Sequence, residues 1–424
     1  MIDALRGGTV PENGLDVLAV GLDRFTAAID EELNTTAAGG SVFKAVRGEY
    51  GSGKTFFSRW LIERARKQGF ATSEVQISET ETPLHRLETV YRRVVENLAT
   101  SEFTPSAFRD ILDGWIFTLE QDAIQAGANP RDESAFAVAV GELLERRLAN
   151  VARTTPAFAT ALRAYHQATL AGDVAQAEGL VAWLGGQPHV AASIRRSAGV
   201  RGDLDHFGAF GFLQGLLLIL RDSGFAGLVI VLDEVETLQR VRGDVRDKAL
   251  NALRQFIDEV HSGRFPGLYL VITGTPAFYE GTQGVQRLQP LAQRLATDFT
   301  GDPRFDNPRA VQLRLPGFTQ GSLVELGVKV RDLYSVGASP RITQRVDDEY
   351  VAALSKAVTG RLGDQVGVAP RLFVKKLVGD VLDRVDQFED FDPRKDYALT
   401  VSRGELSEDE LAAAGVNDID LNLD

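Results

Sequence analysis

Gly48, Gly53, Lys54 and Thr55 spell G-x-x-x-x-G-K-[ST], and each residue type has a mechanical reason for its place. Glycine lets the backbone bring its N–H groups against phosphate oxygens with no Cβ in the way, which is the task of Gly51 and Gly53. Lysine reaches the β- and γ-phosphates of a nucleoside triphosphate, and the threonine hydroxyl ligates Mg²⁺. The residues expected to touch ATP are therefore Gly48, Glu49, Tyr50, Gly51, Ser52, Gly53, Lys54, Thr55 and Phe56. A glycine-rich structural turn is the bland alternative, and it leaves the Lys-Thr pair unexplained. A second signal is Asp233-Glu234, directly after the apolar run GLVIVL. Two acids at the end of a buried strand are costly unless they face a ligand crevice. Asp233 is placed to hold Mg²⁺ through its water shell, and Glu234 to polarise the water that attacks the γ-phosphate. An acidic helix cap would account for this pair alone, but not for its company with a phosphate loop.

These groups need a strand before each of them and a helix after the loop. A β-branched run enters the loop at residue 41, and a helix over 55–66 leaves it with Phe56, Phe57, Trp60 and Leu61 facing inward. A strand over 71–77 and a helix over 84–98 follow. From 101 to 220 every periodic pattern is helical, over 107–124, 134–153, 157–170, 174–183 and 207–221. Strands over 227–232, 268–272 and 311–315 complete a set of five, with a helix over 244–261 between the first two of these. The chain thus reads as α/β, with a five-stranded parallel sheet, a large helical insertion between strands 2 and 3 and a C-terminal helical lid over 320–334, 347–358 and 370–388. The divisions expected are 1–100 and 223–317 for the sheet core, 101–222 for the insertion, 318–390 for the lid and 391–424 for an acidic tail, ordered only in part. The fourth strand would lie between those bearing Lys54 and Asp233. Its terminal Thr273 would then place a hydroxyl beside the γ-phosphate, with a simple turn residue as the rival reading. Residues 15–33 read as broadly helical, and residues 6–10 either as a segment against the nucleotide base or as an ordinary loop.

Composition limits the functions. A net charge of −13 argues against a surface that coats nucleic acid through a global field. The absence of cysteine excludes disulfides, thiolate metal sites and cysteine catalysis, and fits a reducing cytoplasm. The five histidines, His85, His166, His189, His206 and His261, show no pairwise ligand spacing. No apolar stretch is long enough for a signal peptide or a membrane span, so a cytoplasmic protein without membrane contact is expected.

The assembled pattern, with acids on the third strand, a polar residue on the fourth and a helical lid, resembles AAA+ phosphate-loop ATPases of the initiator type. The segments RGGTVPENGLDVLAVG, VRGEYGSGKTFFSRWL, VQISETETPLHRLETVYRRV, GLVIVLDEVETL and VAPRLFVKKLV resemble more closely the BrxD-type ATP-binding proteins of BREX phage-defence loci, over residues 6 to about 385. The resemblance implies an ATPase, splitting ATP to ADP and phosphate with Mg²⁺, that works beside a helicase-like or other phage-defence protein. It also implies roles for two arginines. Arg371, after Pro370 at a helix start, matches the lid arginine that reaches back to the phosphates, although a plain helix start also favours proline there. Arg294 sits where such proteins offer an arginine to a neighbouring copy in a homo-oligomer, with Arg287 and Arg304 as alternatives. DNA contact through the helical insertion is implied too. Arg146, Arg147, Arg153 and Arg163, or the cluster Arg195, Arg196 and Arg201, are its candidates, against the view that they decorate solvated helix faces. Three readings stay open: a hydrolysing switch or loader, a nucleotide-gated scaffold with little turnover, and phosphotransfer to a second substrate. Glu234 favours the first.

Overall fold

The computed structural model describes residues 1–362, 367, 369–406 and 410–411. The runs Val42–Arg47 (β1), Ala71–Gln76 (β2), Leu228–Asp233 (β3), Leu268–Gly274 (β4) and Gln312–Arg314 (β5) form one parallel sheet. Its strand order is β2-β3-β4-β1-β5, so β4 does lie between the strands that carry the phosphate loop and the Asp-Glu pair. Every residue of β3 and β4 is buried, as unbroken apolar runs in a sheet covered on both faces require.

One face is covered by the helices Asp23–Ala37 and Lys54–Lys67, which pack Phe25, Phe57 and Trp60 onto Val46, Val231 and Val271. The other face carries the helix Gly243–His261 and the helices between β2 and β3. Among the latter, Leu87–Glu96, Phe108–Gln125, Glu133–Thr154, Pro156–Leu170, Val174–Leu184 and Ala209–Asp222 share one continuous apolar core with the sheet. Phe212 is its hub, with ring centroids 5.1 Å from Phe158, 5.3 Å from Trp183 and 5.7 Å from Tyr91. Gly215 permits that crossing, because a Cβ there would collide with the Phe158 ring. A third core holds the lid helices Gln320–Ser335, Asp348–Arg361 and the helical run from Pro370 to Gln387. Among the described residues no helix is long and apolar enough to cross a membrane.

Three local readings change. The helix expected over 15–33 is two, Leu15–Leu18 and Asp23–Ala37, because Ala19 is extended and Gly21 takes φ +72°. The helix expected over 370–388 is continuous to Gln387, but Lys376–Leu382 is wound as wider π turns, a change of pitch that apolar spacing does not reveal. Residues 391–406, polar by composition, pack Phe391, Tyr397, Leu399 and Val401 against the lid core. The acidic stretch over 412–424 lies outside the described residues.

The segment before β1 is bolted to the loop helix rather than draped over it. The Glu63 carboxylate accepts the Gly14 N–H at 2.9 Å and the Leu15 N–H at 2.8 Å, Trp60 Nε1 donates to Asp16 at 2.8 Å, and Arg59 donates to the Val10 carbonyl at 2.6 Å. Burial pushes the Glu63 carboxyl up, but the two N–H groups and Lys67 outweigh it and hold it below the usual carboxylate range. Its contribution is therefore present above the unfolded-chain value and lost as pH falls through the lower folded one. Replacing Glu63 by alanine, which leaves two buried N–H groups without an acceptor, should cost about 2 kcal/mol. Denaturant unfolding at pH 7 and pH 3 checks this, and the difference between variant and parent should shrink at the lower pH.

Candidate functional site

The loop after β1 is built by steric necessity. Gly51 and Gly53 have φ of +75° and +90°, and a Cβ on Gly48 would strike the Ser52 hydroxyl. The helix Lys54–Lys67 then begins with no side-chain cap and no acid in its first turn, while Arg64, Arg66 and Lys67 sit in its last. Its unpaired N–H groups and positive dipole end face the cleft, a ready anion site. Lys54 is buried in the loop, donating to the carbonyls of Gly48 at 2.9 Å and Glu49 at 3.3 Å, and its ammonium lies 5.0 Å from the Tyr50 ring centre.

The acids converge on that loop. Thr55 Oγ1 is 3.4 Å from Asp233 Oδ2 across the cleft, although 178 positions separate the two in sequence. Asp233 is 6% exposed, and its other oxygen accepts the Thr273 hydroxyl and the Glu234 N–H at 3.0 Å. Thr273, the terminal hydroxyl of β4, is fully buried and also accepts from the Glu234 N–H at 3.3 Å. Glu234 occupies the left-handed region at φ +58°, ψ 41°, unusual for a side chain of its kind. Gln76, the last residue of β2, donates to its carboxylate at 2.8 Å.

A cleft of about 340 Å³ joins these groups to the lid. Tyr50 to Phe56, Asp233 and Glu234 line it on the loop and strand side, and Arg371 and Pro370 reach it from the lid. Val10, Leu18, Val20, Phe318 and Val374 contribute apolar lining, and Gly8 and Thr9 line it too. Part of the segment expected against a nucleotide base is therefore there, whereas Arg6 points elsewhere and pairs with Asp383 of the lid at 2.6 Å. Arg371 is occupied: its guanidinium pairs with Glu410 at 2.7 Å and donates to the Glu405 carbonyl. Arg294 lies outside the cleft in a two-point pair with Asp258, Arg287 in one with Asp247, and exposed Arg304 beside Asp302.

Among the proposed DNA contacts, Arg147 pairs with Asp122 and Asp222, Arg163 with Glu145 and Arg195 with Asp203. Arg146, Arg153, Arg196 and Arg201 are exposed and make no ion pair among the described residues.

Sequence reasoning missed Gln76 and Glu236. Gln76 had no signal beyond ending a strand that proves to adjoin β3. Glu236 is 5% exposed at the cleft wall, 4.0 Å from Lys54, and burial pushes its carboxyl up against the pull of that ammonium. Its place two residues after Glu234, between Val235 and Thr237, carries no motif that would single it out.

The oxygen donors suit a hard cation shared with phosphates. Among the described residues no cluster of three or more acids or histidines could hold a metal alone. Thr55 and Asp233 supply one neutral and one anionic oxygen, which fits Mg²⁺ completed by phosphate and water.

No curated protein matches the chain. A family profile described as "BREX system ATP-binding protein BrxC/D" matches residues 1–401 of the 424, a span that holds the whole sheet, the phosphate loop, Asp233, Glu234 and Arg371. The chain belongs to the BrxC/D family of BREX system ATP-binding proteins.

Proposed function

We propose that the chain is an AAA+-type ATPase, of the initiator kind, whose hydrolytic cycle switches or loads a helicase-like DNA-acting partner in BREX defence. Family membership implies the other BREX components as partners. The observation that carries the reading is the meeting of Thr55, Asp233 and Thr273 at the ends of β3 and β4, with Glu234 held beside them by Gln76. Strand order β2-β3-β4-β1-β5 and seven helices between β2 and β3 support the fold assignment.

In this reading the loop N–H groups and Lys54 bind the phosphates, and the apolar lining of the cleft takes the base. Mg²⁺, which the oxygens of Thr55 and Asp233 would hold, would supply neutralisation of phosphate charge. Thr55 would ligate the ion and Asp233 would hold it through its water shell, while Thr273 fixes the Asp233 carboxylate. Glu234 accepts a proton from the attacking water, and Gln76 keeps its carboxylate from wandering in a backbone conformation that gives little restraint of its own. Arg371 senses the γ-phosphate once it leaves Glu410. That occupied arginine is also what favours the second reading, a nucleotide-gated scaffold with little turnover, because the present arrangement withholds it from the phosphates.

Steady-state ATP turnover, measured with and without single- and double-stranded DNA, tests the proposal. Lys54→Ala should weaken ATP binding about a hundredfold through loss of charged hydrogen bonds to phosphate. Glu234→Gln should keep ATP affinity and lower kcat roughly 10²- to 10⁴-fold, as loss of a general base does. Equal loss of affinity in both variants would refute the role assignment.

Arg294 as a group offered to a neighbouring copy makes a separate prediction. Specific activity should rise with protein concentration, and Arg294→Ala should flatten that rise while ATP affinity stays within about twofold. Turnover independent of concentration in the parent protein counts against it. For DNA, the exposed pair Arg196 and Arg201 are the better targets than the Asp203-bound Arg195. Replacing both by alanine should weaken all duplexes alike and lower the salt slope by roughly two. A parent protein that ignores duplex DNA at low salt with ATP would make the helical block a docking surface for a protein instead.

A further inference from the structure

Glu236 is the buried acid that the hydrolytic scheme leaves without a task. It is 5% exposed, lines the cleft beside Asp233 and Glu234, and among the described residues no group but its own backbone N–H, at a geometry short of a proper hydrogen bond, donates toward its carboxylate. Its ion pair is with Lys54, at 4.0 Å. An acid buried with no better donor destabilises a fold, and glutamine or leucine would fill the same volume at less cost. Lys54 meanwhile is bound by the carbonyls of Gly48 and Glu49, so its ammonium is held by its own loop on one side and attracted by Glu236 on another.

Glu236 and a nucleotide phosphate are thus two anions facing one ammonium. We propose that Glu236 is a positioning residue that acts through Lys54 to set the preference of the cleft between nucleoside triphosphate and diphosphate. Its charge holds Lys54 back and repels whatever anion Lys54 reaches. The repulsion grows with the charge brought close, so it weighs most on the γ-phosphate and on the inorganic phosphate that hydrolysis releases, and less on a diphosphate. The acid therefore weakens the ground-state hold on ATP and speeds departure of phosphate. This inference rests on the cleft being the ATP site.

The test uses the full chain with Mg²⁺, a fluorescent non-hydrolysable ATP analogue and the matching ADP analogue. Glu236→Gln should bind the triphosphate about tenfold tighter but the diphosphate only about twofold tighter, because one repelling unit charge has been removed next to the outermost phosphate. Glu236→Ala, neutral and smaller, should shift the ratio of the two affinities in the same direction, and Glu236→Asp should leave it near the parent value. Phosphate release followed with a phosphate-binding reporter should slow in Glu236→Gln. A merely structural role predicts unchanged or weaker binding of both analogues, together with a lower melting temperature. If the parent binds neither analogue, the ATP-site reading itself fails. If the parent binds both, Lys54→Ala loses them, and the neutral variants keep the parent's ratio, the role given to Glu236 is overturned while the ATP site stands.

Discussion

A carboxylate almost wholly withdrawn from water is tolerable only where donors come to it, and the Asp233 side chain meets that condition by drawing on three separate elements. Its own strand β3 places it, β4 brings the Thr273 hydroxyl, and the loop helix brings Thr55. The register of the parallel sheet makes this possible. Leu232 pairs with Ile272, so the next residue of each strand, Asp233 and Thr273, emerges at the same level. On the far side Val46 pairs with Thr273 and Arg47 with Gly274, so the phosphate loop begins one step beyond. A slip of one residue in β4 would turn Thr273 to the opposite face and leave Asp233 short of a donor. The glycine-rich loop and the acids are often described as motifs, but here they are held in mutual reach by strand register.

The other wall of the cleft is assembled from segments at opposite ends of the chain. The N-terminal residues are fastened to the loop helix through Glu63, Trp60 and Arg59, and to the lid through the Arg6–Asp383 pair. The lid arginine is in turn fastened to Glu410, itself 2% exposed. Arg6–Asp383 is partly solvated and contributes modestly. The Glu410 carboxylate is buried, so its pair with Arg371 is less screened by water than Arg6–Asp383. Phosphate arriving at Arg371 must compete with that contact. The two ends of the cleft consequently differ in kind: the loop end is rigid by glycine geometry, whereas the lid end is closed by ion pairs that can be exchanged.

Much of this was legible in the sequence because the decisive signals were local. Gly48 to Thr55 can be read in one window, and the unbroken apolar runs over β3 and β4 mark strands covered on both faces. Thr273 was legible only by inference from strand order, which the sheet bears out. What escaped was whatever depended on a neighbour across the sheet or on pitch. Gln76 became meaningful only when β2 was seen to lie beside β3. Glu236 belonged to no motif, and only its burial against Lys54 brought it into the site. The wide turns at Lys376–Leu382 leave the apolar composition of a helix unchanged while shifting which residues face inward. The packing of Phe391 and Tyr397 was hidden by the charged residues around them, because average polarity does not register a few well-placed rings.

The helices between β2 and β3 are not an appendage hung on a loop, and that bears on how a partner could act on the site. Phe212 joins Tyr91, from the helix that follows β2, to Phe158 and Trp183 deeper in the block, and its own helix runs to Asp222, six residues before β3 begins. β2 ends in Gln76 and Glu234 directly follows the end of β3, and these two residues are the donor and acceptor of one hydrogen bond. The two ends are also tied directly, by the Ile77 N–H on the Asp233 carbonyl at 2.9 Å and by the Thr237 hydroxyl near the Ile77 carbonyl at 3.3 Å. Close-packed cores transmit displacement because they compress little. The helical block therefore bears on the β2–β3 edge, and a relative shift of those strands large enough to part Gln76 from Glu234 would remove that contact. Glu234 would then be held only by a left-handed backbone that favours other residue types, a conformation that persists where its surroundings enforce it. Glu234 thus stands at the β2–β3 edge of the sheet, between the two strands that the helical block connects.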